Sequence, residues 1–302
     1  MNPNHVHRST GPMIDFRFAG CCATVLTAMC SFVPAQAASP TGAEARTGTK
    51  YKADGNVQAV LEELASLKGK PIETLTPEEA RKQPTPTDAA KGVLKKKGTD
   101  TQPTALVPGV TSADRSIAGA AGALSARTYT PAGSGPFPVV VYFHGGGWVI
   151  ADKDVYDDGA RGLAKQDNAV VVIAVYPVAQ TGNLETASYL DSATAKPLNK
   201  AMIGWFVDKL FANPADKTNP RIDLVNANLA GLPPVTIINA QIDPLREDGA
   251  LLAAALKQAG IKVDRKVYDG VSHEFFGATA VVKDTANAQA YAGKQLKQAF
   301  GG

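Results

Sequence analysis

Residues 138–148 read Pro-Val-Val-Val-Tyr-Phe-His-Gly-Gly-Gly-Trp, and this stretch gives the first indication of the fold. Its first half, Val139 to Phe143, is a short apolar run of β-branched and aromatic residues, which predicts a buried parallel strand. Its second half places three glycines after that strand, between His144 and Trp148. Because glycine has no side chain, backbone N–H groups can approach a ligand closely there. The stretch therefore predicts an oxyanion hole, in which N–H donors stabilise negative charge that develops during acyl transfer.

The N-terminus of the 302-residue chain has the composition of a targeting segment. Arg8 and Arg17 precede an apolar stretch from Phe18 to Val33, and Ala35-Gln-Ala37 follows as a small-residue cleavage site. This order is typical of a secretory signal peptide, whereas an uncleaved membrane anchor would need a longer apolar run. We therefore expect residues 1–37 to be removed and the mature protein to be secreted or periplasmic, with no stable membrane span.

All three cysteines, Cys21, Cys22 and Cys30, lie within this predicted signal peptide. The mature chain would then have no disulfide, no thiolate metal site and no cysteine nucleophile. The formal net charge of the whole chain is only +3, so the charge gives no indication of nucleic-acid binding.

We expect residues 38–55 to form a disordered leader and residues 56–302 to form one α/β domain. The predicted helices are Val57–Leu67, Pro77–Lys82, Thr87–Lys97, Val155–Gln166, Pro197–Phe211, Leu245–Ala259 and Thr285–Phe300. The predicted strands are a hairpin of Arg115–Ile117 and Ala123–Tyr129, and then Val139–Phe143, Ala169–Val178, Val235–Ala240 and Lys262–Tyr268. Thr76 and either Thr85 or Thr87 are placed to cap the second and third helices. Strands that alternate with helices indicate a mostly parallel sheet flanked by helices.

Two ionisable residues follow neighbouring strands of the predicted sheet. Asp243 comes after the strand that ends at Ala240, and His273 comes after the strand that ends at Tyr268. Catalytic groups of open parallel sheets lie at the carboxyl ends of the strands. An ionised aspartate beside a histidine fixes the tautomer of the imidazole and stabilises its protonated form. We therefore predict that Asp243 and His273 form an acid–base pair, and that His144 only packs the glycine loop.

The segments His144-Gly-Gly-Gly-Trp148, Asp243-Pro-Leu-Arg246 and Gly270-Val-Ser-His273 together resemble motifs of the α/β-hydrolase superfamily, in its hormone-sensitive-lipase-like carboxylesterase branch. The resemblance implies that Gly145 and Gly146 donate hydrogen bonds to the oxyanion, with Asp243 as the acid and His273 as the base. It also implies an α/β-hydrolase sheet, the hydrolysis of short- to medium-chain acyl esters, and no metal or organic cofactor. A helical cap is expected over about residues 56–97 and 186–213.

The nucleophile of that family is a serine on a sharp strand-to-helix elbow, G-x-S-x-G, and this sequence contains no such elbow. The predicted strand Ala169 to Val175 passes directly into Tyr176-Pro-Val-Ala179, which resembles a later part of the family. Two central elements, the elbow strand and its helix, are therefore predicted to be missing. Ser192 is the remaining candidate nucleophile, although its neighbours lack the glycines that the elbow needs.

Three interpretations follow from this gap. The first is a secreted carboxylic-ester hydrolase whose activity is impaired by the missing serine. The second is a non-catalytic pseudo-hydrolase that binds a hydrophobic ligand, and the third is a truncated, inactive product. The expected binding partner is accordingly a small acyl ester or a hydrophobic small molecule.

Overall fold

The computed structural model describes residues 49–119, 122–135, 137, 140–165 and 172–299. The helices are α1 (Gly55–Ser66), α2 (Pro77–Ala80), α3 (Pro86–Lys96), α4 (Pro103–Leu106), α5 (Asp157–Ala164), α6 (Ala187–Asp191), α7 (Lys200–Leu210), α8 (Arg246–Gln258) and α9 (Lys283–Ala299). The strands are β1 (Val110–Gly119), β2 (Gly122–Pro131), β3 (Val172–Val175), β4 (Val235–Ile242) and β5 (Val263–Ser272). The predicted α/β class, with a parallel sheet flanked by helices, is confirmed.

The parallel sheet has the strand order β3-β4-β5, and β4 is its central strand. Ile237 of β4 lies in an apolar cluster with Leu252 of α8, whereas Ile238 lies in a cluster with Leu296 of α9. Successive side chains of a strand point to opposite faces, so the sheet is covered by a helix on each side. This explains why β4 is buried along almost its whole length.

The strands β1 and β2 form the predicted antiparallel hairpin, which is a separate two-stranded sheet. Its side chains are mostly exposed, but Arg127 of β2 anchors it to α5. The Arg127 guanidinium donates to both Asp114 and Asp157, and the Tyr129 hydroxyl donates to Asp157 at 2.8 Å. Polar contacts, rather than a shared apolar core, thus hold the hairpin at this end.

The prediction of a strand at Val139 to Phe143 is wrong over the residues that the structure describes. Residues 140–143 have no regular secondary structure, and the side chains of Val141 and Phe143 are 71% and 87% exposed. A buried strand needs ladder partners, and in the described parts of the chain no strand pairs with the outer edge of β3. The apolar run therefore has strand propensity but no ladder to join.

The two predicted cap segments pack together beside the glycine loop. The indole N–H of Trp205, in α7, donates to the Leu75 carbonyl at 3.0 Å. Leu75, Phe206 and Val149 belong to one apolar cluster, and Val149 directly follows the loop. The side chains of Thr76 and Thr85 cap α2 and α3, each in a capping box. The N-terminal segment and α7 thus pack on each other, and their role as a cap stays a prediction.

The predicted signal peptide, residues 1–37, lies outside the described residues, as does most of the predicted leader, 38–55. From Thr49 onward, however, the leader contacts the domain. The Lys50 N–H donates to the Asp191 carbonyl and the Asp54 N–H donates to the Gly270 carbonyl, both at 2.8 Å. Residues 49–54 thus pack as part of the domain. Within the described ranges, no helix is both long enough and apolar enough to cross a membrane.

Candidate active site

The glycine loop is a tight turn that closes on its own backbone. The N–H groups of Val149 and Ile150 donate to the Gly146 carbonyl at 3.1 and 3.0 Å. Gly147 has a φ of 57°, a left-handed conformation that favours glycine. Among contacts between described residues, the N–H groups of Gly145 and Gly146 donate to no protein acceptor. No described protein acceptor thus competes for these two N–H groups, and their role as oxyanion donors stays a prediction.

Tyr156, at the N-terminus of α5, packs directly against this loop. A Cβ atom added to Gly145 would lie 2.5 Å from the Tyr156 hydroxyl oxygen, so the hydroxyl is in contact with the loop backbone. The His144 ring stacks on the Tyr156 ring with a centroid distance of 5.8 Å, and its Nδ1 lies 2.7 Å from the Gly145 carbonyl oxygen. His144 is thus placed to pack the loop.

Asp243 and His273 lie side by side at the carboxyl ends of β4 and β5. Asp243 is fully buried, and its Oδ2 lies 2.8 Å from Nδ1 of His273. Its Oδ1 accepts a hydrogen bond from the Leu245 N–H at 2.9 Å. Both carboxylate oxygens are therefore satisfied, which fixes the orientation of the imidazole.

The register between β4 and β5 brings these two residues together. Ala240 pairs with Tyr268, but Ile242 pairs with Ser272, so a bulge adds residues to β5. Without this shift, His273 would lie beyond Asp243. The bulge contains Gly270, whose φ is 68° and whose missing side chain leaves room for the Asp54 carboxylate. The bulge is therefore what aligns the pair.

Glu274, the residue after the imidazole, faces its other nitrogen. Oε1 of Glu274 lies 3.6 Å from Nε2 of His273 and accepts a hydrogen bond from the Tyr156 hydroxyl at 2.5 Å. The Tyr176 ring, which follows β3, packs on His273 with a centroid distance of 4.4 Å. Sequence reasoning missed all three residues. Neighbouring side chains usually point apart, and only the φ of 70° at Glu274 turns this one back towards the imidazole.

The electrostatics of the site favour the imidazolium form of His273. Burial works against protonation, but the charge and the hydrogen bond of Asp243, with a further contribution from Glu274, outweigh it. These carboxylates raise the pKa of His273 above its ordinary value of 6.5. The imidazole thus lies between the Asp243 and Glu274 carboxylates, both of which favour its charged form.

The candidate nucleophile Ser192 does not contact His273. Ser192 follows the last residue of α6, has no exposed surface, and its hydroxyl has no hydrogen-bond partner. Within the described residues, no serine hydroxyl forms a hydrogen bond with either imidazole nitrogen of His273, and no cluster of three His, Cys, Asp or Glu side chains could hold a metal ion. The structure thus brings the predicted acid and base together, and no serine hydroxyl of the described residues completes the pair.

A family model described as the alpha/beta hydrolase fold matches this chain in two pieces, residues 140–187 and 172–277. The carboxylic ester hydrolase LipN of Mycobacterium tuberculosis is 26% identical over 239 residues, a match that covers 54% of this chain and 63% of LipN. These matches support an α/β hydrolase fold of the hormone-sensitive-lipase-like branch. The carboxylesterase NlhH of the same organism is 25% identical, and the match covers 54% of this chain and 74% of NlhH. The chain thus spans less than two thirds of LipN.

Solved structures show the same fold. A thermostable esterase from Pseudomonas putida superposes on this chain with a TM-score of 0.70 at 22% identity, over 84% of this chain and 99% of that one. An esterase from Pyrobaculum calidifontis superposes with a TM-score of 0.65 at 20% identity, over 78% and 97% of the two chains. At these identities, the likeness concerns the fold alone.

Proposed function

We propose that this α/β-hydrolase hydrolyses short- to medium-chain acyl esters slowly, with water as the nucleophile and His273 as the general base. The observation that carries the proposal is the position of the Tyr156 hydroxyl. It touches Gly145 and donates to Glu274, which faces His273. The glycine loop and the imidazole are therefore close enough to act on one ester group.

In the proposed reaction, neutral His273 accepts a proton at Nε2 from a water molecule as its oxygen attacks the ester carbonyl. The carbonyl oxygen becomes an oxyanion and accepts hydrogen bonds from the Gly145 and Gly146 N–H groups. The intermediate then collapses, the bond to the alcohol oxygen breaks, and His273 returns the proton to that oxygen. Asp243 stabilises the imidazolium throughout.

No acyl-enzyme forms in this scheme, so the covalent step that accelerates the relatives is lost. Proteases that lack members of their triad retain about 10³–10⁴-fold catalysis over water, which comes from the oxyanion hole and binding. We therefore expect turnover that is orders of magnitude slower than that of a complete hydrolase, but faster than hydrolysis in buffer.

An apolar cavity beside His273 supports a small acyl group as the substrate. Its walls include Val57, Val60 and Leu61 of α1, together with Val282. Its volume is only about 30 Å³, which is room for about two water molecules. A long acyl chain could enter only if α1 moved outward, so we expect the rate to fall as the acyl chain lengthens.

The hydrolysis of p-nitrophenyl acetate, butyrate and octanoate tests the proposal. We expect release of nitrophenol above the buffer rate, with acetate fastest, and loss of this excess in His273→Ala. Ser192→Ala is the matched control and should behave like the wild type, because Ser192 does not contact the imidazole. Equal rates for the wild type and His273→Ala would eliminate the proposed base. Loss of the rate in Ser192→Ala would instead identify a nucleophile.

Ligand binding without turnover is the second candidate function, and the position of Glu274 favours it. Its carboxylate lies where Nε2 would otherwise meet an attacking hydroxyl. A short-chain alcohol such as butanol, titrated against the wild type and followed by NMR, should then shift signals of α1 residues such as Val60 and Leu61. A wild type that hydrolyses no ester and shows no such shifts would support the inactive product instead.

We infer that the family segment with the serine elbow is missing between Val175 and Tyr176. The LipN match runs over 239 residues but contains 54% of this 302-residue chain, about 163 residues, so roughly 76 aligned positions have no counterpart here. The two matched pieces of the family model also share residues 172–187, which supports a junction that serves two regions. Sequencing of the encoding locus tests this, because an uninterrupted reading frame with an elbow at this point would make the chain a truncated product.

We also propose that the protein is secreted or periplasmic after cleavage near Ala37, on the strength of the N-terminal pattern. N-terminal sequencing of the protein recovered from outside the cytoplasm should then begin at about Ala38. Recovery of the intact N-terminus in the cytoplasmic fraction would contradict this location.

A further inference from the structure

Tyr156 and Glu274 link the glycine loop to the base, although they are 118 positions apart in the chain. The Tyr156 hydroxyl donates to Oε1 of Glu274, and the same oxygen lies within ion-pair distance of Nε2 of His273. Tyr156 is largely buried, and burial together with the neighbouring Glu274 carboxylate raises its pKa above the ordinary value. It therefore stays neutral and remains a hydrogen-bond donor.

The two nitrogens of His273 thus face two carboxylates, Asp243 at Nδ1 and Glu274 at Nε2. An imidazolium has a proton on each nitrogen and can interact favourably with both, whereas neutral imidazole has only one proton to donate. A general base must present an unprotonated Nε2 to the water that it activates. The observed arrangement is therefore the resting form of the site, and not its reactive form.

We infer that Glu274 is a positioning residue that keeps His273 protonated while the site is empty, and that Tyr156 holds Glu274 in this position. The inference rests on the proposed role of His273 as a general base. An ester group that binds between Gly145 and His273 would displace the Glu274 carboxylate from Nε2. Without Glu274, His273 would lose its proton at a lower pH.

Among the residues that the structure describes, few titratable groups other than Glu274 face His273. Asp243 faces His273 from the end of β4, and the neutral Tyr176 ring packs on it from the end of β3. Tyr142 is not among the groups that shift the pKa of His273, and burial, with a smaller contribution from Glu274, raises the pKa of Tyr142 itself. Glu274 is therefore the one nearby charge, besides Asp243, that a single substitution can remove.

NMR titration of the imidazole C–H signals measures this effect without any need for turnover. The chain has four histidines, and a His273→Gln spectrum assigns the signal of interest. We expect Glu274→Gln to lower the pKa of His273 by about one unit, which is the lower end of the effect of an opposite charge within a few ångströms. Tyr156→Phe should lower it by less, because the carboxylate remains but is no longer held. Glu185→Gln, which loses only an exposed ion pair with Lys200, is the control.

An unchanged His273 pKa in Glu274→Gln would overturn the inference. If that variant did not fold, Tyr156→Phe would decide, since an unchanged pKa there would also overturn the role assigned to the pair. Where the wild type hydrolyses esters, the acidic limb of the rate profile of Glu274→Gln should move to lower pH, and the plateau at high pH should be unchanged. If no ester is hydrolysed, the proposed function fails, and the titration still tests the inference separately.

Discussion

Phe143 and Phe276 are phenylalanines of the same chain in opposite surroundings, and their replacement by alanine tests the fold directly. The side chain of Phe143 is 87% exposed, whereas that of Phe276 is 2% exposed. Complete burial of a phenylalanine side chain stabilises a protein by about 1.5–3 kcal/mol. The small buried remainder of Phe143 therefore contributes about 0.3 kcal/mol, and Phe143→Ala should lower the free energy of unfolding by no more than this.

Phe276→Ala is the matched control. The Phe276 ring lies in the core cluster that covers the α9 side of the sheet, next to Phe275 at a centroid distance of 6.5 Å. Its removal leaves a cavity as well as a loss of buried apolar surface, and we expect a cost of about 3–5 kcal/mol. Urea unfolding at low protein concentration, followed by circular dichroism, measures both variants on one scale.

A cost of about 3 kcal/mol for Phe143→Ala would refute the exposed placement of residues 140–143, because only a buried ring costs that much. Unfolding at several protein concentrations would then show where the Phe143 ring is buried. A destabilisation that grows with concentration would place residues 140–143 between copies of the chain. A destabilisation that is independent of concentration would support the buried strand that the sequence predicts.

Three further substitutions test the site and its support. Gly147→Ala should destabilise the protein by about 1–3 kcal/mol in urea unfolding, because φ is 57° and the new Cβ would lie 2.6 Å from the Phe206 ring. The control Gly204→Ala, in α7, meets no neighbour and should stabilise the protein by up to about 1 kcal/mol. Equal effects of the two substitutions would contradict the loop geometry. Asp243→Asn should lower the pKa of His273, which NMR titration measures, because burial is then opposed only by Glu274. The stability that the raised His273 pKa contributes is complete below pH 6.5 and is lost as the pH rises through the raised value. The difference in stability between the wild type and Asp243→Asn should therefore become smaller with rising pH. A difference that becomes larger would exclude the pairing of Asp243 with His273. Burial raises the pKa of Asp248 to about 6, so the wild type should lose up to about 3 kcal/mol of stability as the pH rises from 4 to 6. Asp248→Asn should not show this loss in urea unfolding. Parallel stability profiles of the two proteins against pH would refute the raised pKa.

The part of the fold that the sequence predicts well is the part with local signals. The predictions for β4, α8 and β5 are correct to within a few residues, because a strand, a helix and a second strand follow each other directly in the sequence. Parallel strands joined by a helix place their carboxyl ends at one edge, so Asp243 and His273 could be predicted as neighbours without any structure.

The conformation of Val139 to Phe143 could not be predicted correctly in this way. Its composition shows a preference for strand conformation but does not show whether a neighbouring strand is available to pair with it. An apolar run becomes a strand only when backbone groups on a neighbouring strand complete its hydrogen bonds. Glu274 and Tyr156 were missed for a related reason. Their contact depends on the left-handed backbone at Glu274 and on a packing distance across most of the domain, and neither leaves a local pattern.

The Asp243–His273 pair and the glycine loop are held in place by different parts of the fold. A change that disturbs the loop therefore need not disturb the pair. Asp243 and His273 are aligned by the pairing of Ile242 with Ser272, which lies on the far side of β4 from β3 and its open edge. The glycine loop instead follows residues 140–143, which join no strand in the described part of the chain, and it packs against Tyr156 and Phe206. The pairing of Asp243 with His273 therefore does not depend on the support of the loop. A lack of ester hydrolysis would consequently say little about the pair, and the pKa of His273 is the property that reports whether it is intact.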